Sequence, residues 1–219
     1  FRGGCGISGQ IAFRVVKATG GRGPALAAGV AASSGSILCF LHADSVLPMG
    51  FDSLILEALA KPGVAMCAFS FRFADGRDAS CTNLGPPSTA SACTNLGPPP
   101  ASPCIFSSKL RLLVEQSVLV RSRALEMPYG DQTLALTRDT LQAAGGVPLL
   151  PFLEDYELAL RVRKHLGKIV TLSAPARTSA RRFEARGVAG QCFINQVALV
   201  AYALGISPHQ ILRWYDREI

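Results

Sequence analysis

The sequence predicts an α/β fold, a mixed sheet flanked by helices, with further helices at its carboxyl end. Three observations carry this. Short apolar or β-branched runs alternate with segments of helical periodicity. At 219 residues the chain suits one domain. Its 49% hydrophobic content excludes disorder of the whole.

The elements follow in order. Gly20-Gly21-Arg22-Gly23-Pro24 reads as a turn whose amides face a ligand or nothing. Residues 36–41, Ser-Ile-Leu-Cys-Phe-Leu, form a buried strand after Gly35. Pro48 to Ala60 places Phe51, Leu54, Ile55, Ala58 and Leu59 at helical spacing. Val64 to Phe73 is β-branched and aromatic, a second strand ending at Asp75-Gly76. Ser108 to Leu125 is a helix with Leu110, Leu113, Val114 and Val118 on its apolar face. Thr133 to Thr137 is a short strand, and Arg138 to Ala144 a turn or two of helix before Gly145-Gly146. Glu154 to Leu166 is a helix stopped by Gly167, and Lys168 to Leu172 a strand. Ala189 to Leu204 and Pro208 to Trp214 are two helices. They form a tail, 189–219, packed on the domain of residues 1–188.

Between the second strand and the next helix lies a low-complexity insertion, 79–104. Cys-Thr-Asn-Leu-Gly-Pro-Pro occurs there twice, at 81–87 and 93–99, and its prolines exclude helix and central strand. Its cysteines are too widely spaced for a metal clip. Seven cysteines without a CxxC pair indicate neither a disulfide framework nor a zinc site, which favours a reducing, cytoplasmic compartment. No apolar run reaches the roughly 18 residues of a membrane span. The nearest, Val188 to Ile206, contains Gln191, Asn195 and Gln196 and suits a buried or interfacial helix. The chain opens on Phe1-Arg2-Gly3-Gly4 without Met or a signal pattern, so a processed or N-terminally incomplete product is expected.

The formal charge of +7 favours anionic partners. Nucleic acid is not among those expected, for aromatic residues are only 7% and no reading module is present. Gly4-Cys5-Gly6-Ile7-Ser8-Gly9 matches GxGxxG, but no strand precedes it and no acid follows at the required distance. There is no GxxxxGK[ST].

Three clusters carry chemistry. His42-Ala43-Asp44 closes the first strand. In extended chain both side chains share one face, a two-point site for Mg²⁺ or Mn²⁺; alternatively Asp44 and Ser45 cap the helix entered at Pro48. Glu154-Asp155 opens a helix, where the dipole favours any acid and where Asp155 would stay ionised as a general base. Ser179 to Arg186 carries Arg181 and Arg182 on a predicted loop, suited to a pyrophosphate or simply to solvent.

Together with Gly21-Arg22-Gly23, Gly29, Pro128-Tyr129-Gly130-Asp131-Gln132, Gly145-Gly146-Val147-Pro148 and Gly205-Ile206-Ser207-Pro208, these motifs stand in an order that resembles glycosyltransferase family 2. The resemblance is to a subfamily with HAD in place of DxD. It implies a GT-A-like (Rossmann-like) mixed sheet and inverting transfer from a nucleotide-diphosphate sugar to a hydroxyl acceptor. It further implies Asp155 as catalytic base with Glu154 in support, and a divalent metal, Mn²⁺ or Mg²⁺, at Asp44 and His42. Donor contacts would come from Arg22, Gly23, Arg181 and Arg182, and sugar or acceptor contacts from Gly130, Asp131 and Gln132. Where the family carries DGGSxD this chain has Arg2-Gly3-Gly4-Cys5-Gly6-Ile7, with Arg2 and Ile7 in place of acids. The alternative is a truncated, non-catalytic homologue that binds nucleotide or an anionic membrane surface. The C-terminal helix, with Phe193, Val197, Leu199, Val200 and Tyr202 near Arg213 and Arg217, offers a peripheral membrane contact as a second partner.

Overall fold

A computed structural model describes residues 14–74 and 108–216. The repeat insertion 79–104 and the GxGxxG match at 4–9 lie outside the described residues. The fold is α/β. Its strands are β1 (Ile37–Phe40), β2 (Ser45–Val46), β3 (Val64–Phe73), β4 (Leu134–Thr137) and β5 (Lys168–Thr178). They form one mixed sheet in the order β1-β4-β3-β5-β2. β3 and β5 are parallel, and the other pairings are antiparallel.

This topology gathers several chain ends at one edge. Because Phe40 pairs with Leu134, the chain leaving β1 lies beside the chain entering β4. Phe73 pairs with Thr178, and Thr178 with Ser45, so β3 and β5 finish at that edge too. Ligand sites of open α/β sheets collect beyond the carboxyl ends of strands.

The helices are α1 (Arg22–Ala32), α2 (Phe51–Leu59), α3 (Ser108–Ala124), α4 (Arg138–Ala143), α5 (Glu154–His165), α6 (Arg181–Arg186), α7 (Val188–Ala203) and α8 (Pro208–Asp216). One core cluster joins Met66, Leu134 and Leu136 of the sheet to Leu158 and Val162 of α5. On α2, Ile55 and Ala58 are buried with Phe69 of β3. The tail helices meet the body through Phe152 and Leu153, which pack with Ile194, Ala198 and Ile211.

Several expectations are corrected. Gly20–Pro24 is not a free turn: helix α1 begins at Arg22, with Gly23 and Pro24 in its first turn. Proline is compatible with that position, and the alanine-rich stretch behind it propagates helix well. The amides of Arg22 and Gly23 donate to the carbonyls of Pro151 and Leu150, so they are not available to a ligand. A Cβ on Gly23 would collide with the Pro148 and Leu150 carbonyl oxygens. Asp44 and Ser45 do not cap α2, which starts at Phe51 behind a left-handed Gly50 and has no side-chain cap. Strand β5 continues past Leu172 to Thr178. Pro175 is accommodated because the β3 register shifts between Phe69 and Ser70, opposite Leu172 and Pro175. The basic run expected on a loop contains the short helix α6. On α3, Val114 is buried while Leu113 is largely exposed, so the apolar face is narrower than the periodicity implies.

No helix among the described residues is long and apolar enough to cross a membrane. Their cysteines, Cys39, Cys67 and Cys192, are free thiols.

Candidate functional site

Asp155 is set in place by two backbone segments. Leu153, just before α5, adopts φ 63° and ψ 20°, a left-handed conformation costly for a branched side chain. Burial of Leu153 against the tail helices holds it there. The first turn of α5 then presents Glu154 inward and Asp155 to the sheet edge, with exposures of 1% and 13%. Opposite, a 3-10 turn at Gly130–Gln132 enters β4 through Thr133, itself at φ 55°. The Gly130 amide donates to Asp155 Oδ2 at 2.6 Å. The Tyr156 amide donates to Asp155 Oδ1 at 2.8 Å. Strained backbone thus flanks the carboxylate on both sides.

His42 completes this centre. A Cβ on Gly130 would sit 2.5 Å from His42 Nε2 and 2.8 Å from Asp155 Oδ2. The absence of a side chain at Gly130 leaves the space into which the imidazole and the carboxylate both reach. His42-Ala43-Asp44 is a turn, not an extended strand, closed by the Ser45 amide donating to the His42 carbonyl at 3.1 Å. The strand alternation that predicted a shared face for His42 and Asp44 does not hold. His42 faces Gly130 and Asp155, while Asp44 reaches Arg181 Nη2 at 3.5 Å. The Asp44 carbonyl is anchored by the Ser179 amide.

Arg22 stands where it can restrain both acids. Its Nε lies 2.9 Å from Glu154 Oε1, off hydrogen-bond alignment, and its Nη2 donates to Glu154 Oε2 at 3.1 Å. Nη2 is also 3.5 Å from Asp155 Oδ1. The guanidinium lies over the Phe152 ring as well. Burial opposes its charge, but Asp155 and Glu154 outweigh that and raise its pKa. Burial, with Asp155 next to it, pushes the Glu154 carboxyl up to about 7 even though Arg22 pulls it down.

The remaining expected residues divide. Gln132 is fully buried; its amide donates to the Phe69 carbonyl at 2.9 Å and its oxygen accepts from Arg121. It fastens the 3-10 turn to β3 and is not presented to a ligand. Asp131 Oδ1 is buried without a hydrogen-bond partner. Burial raises its pKa against the pull of Arg121 and His42. Arg182 is exposed on α6 beside Arg181.

Sequence reasoning missed Arg121, whose guanidinium lies 3.4 Å from the centroid of the Tyr129 ring. Tyr129 stood within the Pro128–Gln132 motif, but nothing in the spacing of α3 singled out Arg121.

Among the described residues no three His, Cys, Asp or Glu side chains stand together as a cation cage. Asp44 is a half-exposed carboxylate, 41%, with a long contact to Arg181. That suits a single oxygen ligand to a cation arriving with phosphate oxygens, the usual Mg²⁺ mode, and His42 is two residues away. No family model, curated protein or solved structure matches the chain.

Proposed function

We propose that the chain is an inverting glycosyltransferase that moves a sugar from a nucleotide-diphosphate sugar to a hydroxyl acceptor, with Asp155 as base. The observation that carries this reading is the convergence of Asp155, the Gly130 amide and His42 at the carboxyl edge of a mixed sheet, with Asp44 on the adjoining turn and Arg181 at the start of α6 beside it. The order of motifs resembling family 2 supports it independently, as does the mixed α/β sheet.

In this reaction Asp155 takes the proton of the acceptor hydroxyl while that oxygen forms its bond to the anomeric carbon. The bond to the diphosphate breaks in the same displacement, and its electron pair leaves with the diphosphate. One displacement inverts the configuration and leaves no covalent sugar on the protein. The Gly130 and Tyr156 amides fix the carboxylate, and Arg22 sets the charge behind it. Arg181 and Arg182 offset charge on the departing diphosphate. A divalent cation, Mn²⁺ or Mg²⁺, held by Asp44 with His42 nearby, supplies further positive charge to the diphosphate when bound.

The test is release of nucleoside diphosphate from a panel of sugar nucleotides, with water or added alcohols as acceptor and Mn²⁺ or Mg²⁺ present. Asp155→Asn is expected to lower turnover by about 10²- to 10⁴-fold with the fold retained. Asp44→Ala is expected to weaken the metal dependence. Turnover by the parent that survives unchanged in Asp155→Asn rejects the assignment of the base. A folded parent that turns over no sugar nucleotide rejects the transferase reading.

A further inference from the structure

Helix α7 has one face that the fold explains and one that it does not. Val188, Gln191, Ile194, Ala198 and Ala201 are buried against the body. On another side, Phe193 is 72% exposed, Val197 38%, Val200 57% and Leu204, just past the helix end, 77%. These positions recur at steps of four, three and four, which is one row along a helix. Within Val188–Ala203 there is no charged residue at all. A helix that only faced water would carry charge on its outer side. A contiguous exposed apolar row of this kind marks a contact surface.

The flanking helices indicate which kind of contact. Between residues 181 and 215 the exposed charged side chains are Arg181, Arg182 and Arg213, and no carboxylate is exposed. Glu184 is partly buried, and Arg186 donates to the Tyr215 carbonyl. The helices on either side of α7 therefore expose three arginines among these residues, of which Arg181 has the Asp44 carboxylate beside it. A second copy of the chain packed on this row would bring together two flanks that both carry exposed arginines, a like-charge arrangement that disfavours such a dimer. A surface with an apolar interior and acidic headgroups matches both features at once.

We propose that α7 docks the protein on an anionic membrane leaflet. Phe193, Val197, Val200 and Leu204 enter the boundary between headgroups and acyl chains, and the exposed Arg213 on α8 attracts lipid phosphates. The helix lies in the interface and does not span, as its 16 residues fall short of a crossing. This docking does not depend on the transferase reading.

The experiment is co-sedimentation of the full chain with phosphatidylcholine vesicles, with and without phosphatidylglycerol. Binding is expected to the acidic vesicles, weakened by salt. Paired Phe193→Ser and Leu204→Ser substitutions are expected to reduce it by roughly tenfold or more, because two large apolar groups no longer leave water. Arg213→Glu provides a second arm and should reduce binding to acidic vesicles alone. Thermal melts establish that each variant is folded. No binding by the parent, or equal binding by folded variants of both kinds, overturns the proposal. So does a lipid-free dimer in sedimentation velocity that the serine pair abolishes, since the row would then belong to a second copy.

Discussion

Glu154 is a carboxyl group with almost no access to water, held between a guanidinium and a second carboxylate. Its proton affinity links the site to folding. With its pKa raised from 4.5 to about 7, the folded chain binds more protons at this position than the unfolded chain across that interval. Stability contributed by the protonated group is present at acid pH and is lost as pH rises through that range. The upper bound is about 3 kcal/mol. Glu154→Gln keeps an acceptor for Arg22 and removes the ionisation. Its stability is expected to fall less steeply than the parent's between pH 5 and pH 8, which urea unfolding at several pH values will show. An unchanged slope would place the titrating group elsewhere. The acids at 154 and 155 were legible in the sequence because they open a periodic helix. Their partner was not. Arg22 comes to them because backbone carbonyls at Leu150 and Pro151 receive the start of α1, a contact with no trace in local spacing.

Among the elements, the connection from α1 to β1 depends on one side chain from another part of the chain. Arg138, opening α4, donates to the carbonyls of Val30, Ser33 and Gly35 and to the Ser33 hydroxyl. Through this contact α4 holds the loop that aims β1 toward His42. Arg138→Ala is expected to cost about 1–3 kcal/mol. The melting temperature should then fall by several degrees, measured calorimetrically. Strand β3 was legible to the residue and α5 nearly so, since both are long and strongly patterned. Helix α1 was hidden by Gly20, Gly21 and Pro24, which punctuate a sequence even where proline merely occupies a first helical turn. The end of β5 was hidden by Pro175, whose missing amide matters little at a register shift. The two-residue β2 carries too little pattern to be read at all, yet it fixes the turn that holds Asp44.

For the molecule as a whole, the tail helices are structural partners of the candidate site. Tyr215 packs on Phe152, and its hydroxyl donates to Asn195 while accepting from Gln191. Phe152 in turn carries Arg22 on its ring. Tyr202 on α7 donates to Glu157 at 2.7 Å, two residues beyond Asp155. Body and tail are therefore expected to unfold in one transition. Ile211→Ala, at a fully buried position of α8, should lower the stability of that single transition by about 2–5 kcal/mol. Two resolved calorimetric transitions, with only one displaced, would mean that the tail is an independent unit.

The pairing of Arg22 with Glu154 spans 132 positions of chain. During synthesis the first helix leaves the ribosome well before its acidic partners exist. Its guanidinium must wait through the making of every described strand but β5, and α7 and α8 follow later still. The candidate site is therefore among the last parts of this protein to take form, and a nascent chain released early would carry most of the sheet without the acids that pair with Arg22.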